Sequence, residues 1–293
     1  MLQRTRLGLS KLSEDELKEL GRLYRRTSSD LATAAARSAS PDLVIYLNGL
    51  VGRAHGTIYT AERGSMRAIK DFLLGGFPAL VRAQYRYVLT ATGIFFAAFI
   101  YAFIHLSHTA GTGPLADMLE GIGKNWLHNV QDPVVMSSFI MTNNIKVAFL
   151  GFATGVTFGV LTVLLTAYNG FMIAFIAVAV NSVGRGPELL AFVLPHGVIE
   201  LTAIFISCGA GLMMGAALIR PGNLSRRDAL KVAARPAVQM IGGVIVMLII
   251  AGTIEGFFSP AHLPGPAKIA FGCVTAVMLA LYFFGAGREK QKS

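Results

Sequence analysis

The sequence predicts an all-α fold, a polytopic membrane helix bundle of about six spans with an N-terminal cytoplasmic helical hairpin, and three observations carry that reading. Hydrophobic residues make up 54% of the 293, only 14% are charged, and the mean hydropathy is +0.58, a balance ordinary soluble domains do not show. Apolar runs recur through residues 87–285, long enough to cross a hydrocarbon core of about 30 Å at about 1.5 Å per helical residue. The net charge of +10 gathers in the N-terminal segment, in residues 220–236 and in the tail, which is the pattern that sets membrane orientation. No interleaved basic and aromatic motif accompanies that charge, so no nucleic-acid partner is expected.

The chain divides into a cytoplasmic or interfacial helical segment (1–86), a transmembrane bundle (87–285) and a basic cytoplasmic tail (286–293). Residues 1–86 hold no apolar core flanked by a cleavage site, so the reading expects no signal peptide and a cytoplasmic N-terminus. Ser13 and Glu16 form a capping box, with Leu12 and Leu17 as its hydrophobic staple. Leu17, Leu20, Tyr24 and Leu31 then recur at helical spacing, which predicts an amphipathic helix from Glu14 to Arg37. Ser40 and Pro41 start a second helix as N-cap and first residue, with Leu43, Val44, Leu47, Leu50 and Val51 on its apolar side. From Ser65 to Arg86, basic residues alternate with Phe72, Leu73, Leu74, Phe77 and Leu80. That pattern reads either as an interfacial elbow whose phenylalanines dip into the acyl boundary or as an amphipathic helix on the hairpin.

The first span is expected at Tyr87–His105, followed by a loop, Leu106–Pro133, with a short amphipathic helix near Leu115–Leu127. The second is expected at Val135–Leu165, with Asn143, Asn144 and Lys146 inside it and Gly151, Gly155 and Gly159 forming a bare stripe for helix packing. Asn169-Gly170 reads as the turn into a short third span, Phe171–Val183. The fourth span, Leu194–Leu218, is the one the bundle is organised around, and Pro195 threatens to split its start. Its His196 and Glu200 share one face at i, i+4, and Gly211 and Gly215 make a small-xxx-small step. The loop Arg220–Pro236 carries Arg220, Arg226, Arg227, Lys231 and Arg235 against Asp228 alone, and so is placed inside the cell. Spans five and six are expected at Ala237–Gly256 and Ala267–Gly285, with Glu255 ending the fifth. Cys208 and Cys273 fall in apolar runs and behave as small hydrophobes.

The segments LYRRTSSDLA (23–32), YLNGLVGRAHGTIY (46–59), FPALVR (77–82), TNNIKVAFLGFATGVTFG (142–159), YNG (168–170), PHGVIELTA (195–203) and AGTIEGFFSP (251–260) resemble the stage II sporulation protein M family, in order and over nearly the whole chain. Counting six crossings from a cytoplasmic N-terminus places the basic stretch 220–236 and the tail inside, so both termini are expected to be cytoplasmic. The resemblance implies a bacterial cytoplasmic (inner) membrane protein with no enzymatic activity or cofactor. Its members act as scaffolds for peptidoglycan-degrading partners or sit beside cytoplasmic AAA-type ATPases. Carried onto this chain, the family blocks single out Asn143, Asn144, Asn169, His196, Glu200 and Glu255 near the membrane, and Tyr24, Asp30, Asn48, Arg53 and His55 in the hairpin.

Two functions from different classes follow. A non-enzymatic scaffold would use membrane lipids, envelope or ATPase partners and a homo-oligomer if one forms, its membrane asparagines bridging helices. A transporter would line a pathway for an ion, a proton or a lipid-like substrate with the polar groups, Lys146 pairing with Glu200 or Glu255. An intramembrane metalloprotease is the enzyme alternative, but His196 and Glu200 make only half of a zinc site. Neither a G-x-S-x-G elbow nor a Walker loop offers other chemistry, so no catalytic or metal residue is assigned.

Overall fold

The computed structural model describes residues 13–36, 40–59, 66–109, 113–129, 133–259, 261 and 263–287, and all the regular structure among them is helical. The chain separates into two compact units, Met1–Lys70 and Asp71–Ser293.

In the first unit, α1 (Glu14–Ala36) and α2 (Pro41–Tyr59) pack as a hairpin. The capping box forms: the Ser13 backbone N–H donates to Glu16 Oε2 at 2.9 Å, and the Glu16 N–H donates to Ser13 Oγ at 3.3 Å. The Leu12 staple lies outside the described residues. Ser40 caps α2 through the Leu43 N–H at 3.4 Å. Among the described side chains of the pair, Leu20, Ala34 and Ala54 are buried and Tyr24, Leu31, Val44, Leu47 and Leu50 half-buried, as the 3.6-residue period requires. A short α3 (Met66–Asp71) follows.

The second unit begins with a π-turn, Phe72–Gly76, that runs into α4 (Phe77–Ala83). Phe77 is buried here, its ring against Gly243 and edge-on to Phe283 with centroids 5.8 Å apart. The expected dip of this phenylalanine into lipid is therefore corrected, because a glycine opposite leaves a socket for the ring. Arg82 donates to the Phe283 carbonyl at 2.5 Å and the Tyr282 hydroxyl donates to the Leu73 carbonyl. Arg82 thus satisfies a carbonyl left over at the end of the last helix.

Six helical segments are long and apolar enough to cross a membrane. They are α5 (Tyr85–Thr109), α7 (Pro133–Ala153, apolar from Ser138), α8 (Val160–Ser182), α9 (Gly186–Ile219), α10 (Arg226–Phe257) and α11 (Gly265–Gly285). Between α5 and α7 lies the expected short helix, α6 (Pro114–Asn129). α9 is central and packs against α5, α7, α8, α10 and α11, with Ile206, Ser207, Cys208 and Ala210 fully buried. A span ringed by other spans needs no polar face, so its sequence reads apolar all round.

Four features differ from expectation. The second span ends at Ala153, and Thr154–Val156 tightens into a 3-10 turn. The reversal is then made by two left-handed residues, Phe158 (φ 58°) and Gly159 (φ 78°). Asn169-Gly170 is accordingly mid-helix: Asn169 Nδ2 donates to Leu165 O at 2.8 Å, and Gly170 is bare because the Phe95 carbonyl lies against it. Pro195 does not split α9, which runs unbroken for 34 residues, about 51 Å, well over what a perpendicular crossing needs. Most of the basic stretch is helix, not loop. Ser225 caps α10 by accepting from the Asp228 N–H at 3.2 Å, and the helix continues through Pro236.

Candidate functional site: a buried polar cluster between the spans

Near the end of the bundle where α9 starts and α10 finishes, four side chains and a serine converge in an apolar interior. α9 supplies His196 and, one turn on, Glu200, which are 1% and 3% exposed. α10 supplies Glu255 in its last turn, and Ser259 follows just past the helix end; they are 0% and 1% exposed. Half-buried Asn144 reaches in from α7 and donates from Nδ2 to Glu200 Oε2 at 2.5 Å. His196 Nδ1 is 2.9 Å from Ser259 Oγ, which holds the ring's rotation, and Phe192 meets the ring edge-on at 5.8 Å. The Ser259 carbonyl accepts from Lys268 Nζ of α11 at 2.6 Å. The cluster therefore ties α7, α9, α10 and α11 together.

One donor atom each from His196, Glu200 and Glu255 lies within 4.8 Å of the others. Glu200 Oε1 is buried and makes no hydrogen bond among the described residues. Two carboxylates so close in a dry interior repel strongly, so they need a proton or a cation between them. The half-site read from His196 and Glu200 thus gains a third donor from a helix remote in sequence.

Other predicted residues sit elsewhere. Asn143 and Lys146 are exposed on the outer side of α7, because one residue along a helix turns the side chain about 100° and two about 200° away from Asn144. The Lys146 ion pair with Glu200 or Glu255 is therefore not formed. Among the described residues, Asn169 bonds within its own helix. In the separate hairpin, Tyr24 is half-buried, Asp30, Asn48 and Arg53 are exposed, and the His55 side chain lies outside what is described. The tail from Arg288 onward is also outside the described residues.

The five glycines lie on one seam. A Cβ on Gly151 would stand 2.5 Å from Cys208 Sγ, one on Gly155 would strike the Gly211 carbonyl, and one on Gly211 would strike the Gly151 carbonyl. A Cβ on Gly215 would come 2.5 Å from the Gly159 backbone nitrogen. Gly159 sits in the turn rather than on the α7 stripe. Sequence reasoning missed the hydroxyls that accompany this seam. Ser207 donates to the Ala148 carbonyl at 2.5 Å, and Thr162 donates to the Gly151 carbonyl at 3.0 Å. It also missed Ser259, whose only signal was its place in the AGTIEGFFSP segment.

Comparison with known proteins agrees with this architecture. Residues 1–60 match a domain of unknown function. An uncharacterized protein of Methanocaldococcus jannaschii is 31% identical over 119 residues, covering 40% of this chain and 62% of its own length. No solved structure matches. The description Stage II sporulation protein M matches residues 87–260, from the start of α5 to just past Ser259, and so takes in the whole cluster. On that match, the chain is a multi-pass helical membrane protein that belongs to the Stage II sporulation protein M family.

Proposed function

We propose that this protein is a non-enzymatic integral membrane scaffold of the cell envelope, recruiting an envelope-remodelling protein or a cytoplasmic ATPase. The observation that carries the reading is the closure of the cluster: His196, Glu200, Glu255 and Ser259 are each at most 3% exposed, and hydrogen bonds join Asn144 to Glu200 and His196 to Ser259. Buried in this way, they work as a tie that stiffens a platform. The hairpin supplies a surface for a partner, since Ile45 and Tyr46 are 70% and 61% exposed beside the exposed Asn48. The six candidate spans among the described residues and the basic stretch at Arg220–Arg235 support an orientation with both termini cytoplasmic.

The test is site-specific photocrosslinking from Tyr46 and Asn48 in the native membrane. A discrete adduct with one envelope protein or ATPase is expected, and repeated absence of any adduct overturns the reading. The rival function is transport of an ion, proton or lipid-like substrate, favoured by the unbonded Glu200 Oε1. Reconstituted liposomes decide it: the scaffold predicts no flux above empty vesicles, whereas flux abolished by Glu200→Gln would establish a transporter.

A further inference from the structure

We propose that His196, Glu200 and Glu255 together bind one divalent first-row transition-metal ion, with zinc as the probe, in a closed site that locks α9 to α10. The inference concerns the bundle interior and holds whether or not a partner is recruited.

The donor set comes first. A borderline imidazole nitrogen and two carboxylate oxygens, from three residues, already lie within 4.8 Å of one another. Ligands about 2.0–2.2 Å from a shared tetrahedral ion stand about 3.4 Å apart, so the three donors need only draw somewhat closer to share one ion. His196 and Glu200 are on one face at i, i+4, while Glu255 faces them from α10.

The orientation of the donors is independent of their proximity. Asn144 holds one Glu200 oxygen at 2.5 Å and leaves the other, Oε1, buried without a hydrogen bond among the described residues. A carboxylate that is 97% buried and held from one side presents its second oxygen as an unused acceptor, an arrangement costly unless something positive takes it. Ser259 holds His196 at Nδ1; with that N–H donating to the hydroxyl, Nε2 keeps the lone pair that ligates a metal. Both first ligands therefore have the outer hydrogen-bonding partner that metal ligands characteristically have.

Charge and space select the ion. Two carboxylates balance a 2+ charge and leave the interior neutral, which relieves the cost of burying either alone. Calcium takes six to eight oxygens and magnesium keeps several waters, neither of which suits three buried residues, whereas a small four-coordinate ion is completed when one of the two carboxylates binds through both oxygens.

The experiment uses the full chain purified in detergent without chelator. Elemental analysis is expected to find about one equivalent of zinc or a neighbouring first-row metal, and X-ray absorption at that metal's edge is expected to show a nitrogen and oxygen shell without sulfur. After stripping, zinc should raise the melting temperature, and Glu255→Gln should weaken zinc binding by about 100-fold or more. Asn143→Ala, on the exposed side of α7, should leave binding unchanged and serves as the folded control. Metal below a tenth of an equivalent with no thermal response to zinc or manganese overturns the proposal and leaves a shared proton as the neutralising species. A sulfur-containing shell, or binding undiminished in a folded Glu255→Gln protein, overturns it equally.

Discussion

The two halves of α9 meet their neighbours by opposite means. Around Gly211 and Gly215 the contact is backbone against backbone, with the Gly151 carbonyl and the Gly159 nitrogen filling the space a side chain would need. Around His196 and Glu200 the contact is made by polar side-chain atoms reaching to Asn144 and Ser259. A glycine seam sets the distance between helices and has no rotamer with which to adjust, so its tolerance is narrow. A polar cluster sets register and identity, since only a helix with the right partner at the right height satisfies it, and its rotamers can yield. One span thus carries a rigid bearing at one end and a specific latch at the other.

Substitutions rank the two ends. The largest effect is expected for Gly211→Val, whose Cβ strikes the Gly151 backbone carbonyl; it should cost about 3 kcal/mol or abolish folding, read as loss of the monodisperse species in detergent. Asn144→Leu removes the donor to Glu200 while keeping size, and should cost about 0.6–2 kcal/mol in a denaturant titration. If Asn144→Leu matched Gly211→Val, the latch would be as unforgiving as the bearing and the contrast would fail. Ser207→Ala sharpens it from the other side: the Ala148 carbonyl already has helical bonding, so about 0.6 kcal/mol is expected.

The smallest effect lies outside the six apolar helices. In α1 the Arg22 guanidinium donates to Glu19 at 2.7 Å and holds its carboxyl below the ordinary carboxylate range. A pKa lowered by folding means stability present above the unfolded value and lost as pH falls through the folded one. Both side chains are open to solvent, so Glu19→Gln should barely shift hairpin melting at neutral pH, and the difference should vanish in acid. A large shift there would mean that a solvated pair rivals the buried cluster, contrary to dielectric screening.

Legibility followed the range of the interaction that decides each feature. The capping box, the hairpin, α6 and the six apolar spans were readable because hydropathy and a 3.6-residue period act within one turn or one helix. Asn169-Gly170 misled because the same dipeptide that favours a turn also offers a bare surface, and the choice was made by the Phe95 carbonyl on α5. The true reversal at Phe158–Gly159 lies in a run with little turn chemistry, where Gly159 served as well for packing as for a left-handed bend.

By itself, the sequence determined the class, the number of crossings and the pairing of His196 with Glu200 on one helical face, since each rests on residues a few positions apart. Tertiary structure alone decided that Glu255, Ser259 and Asn144 join them while Lys146 and Asn143 turn outward. Those residues lie 55 or more positions from Glu200, or differ only in helical phase. Which of them meets the carboxylate depends on how α7 and α10 are rotated about their axes, and packing against α9 sets that rotation.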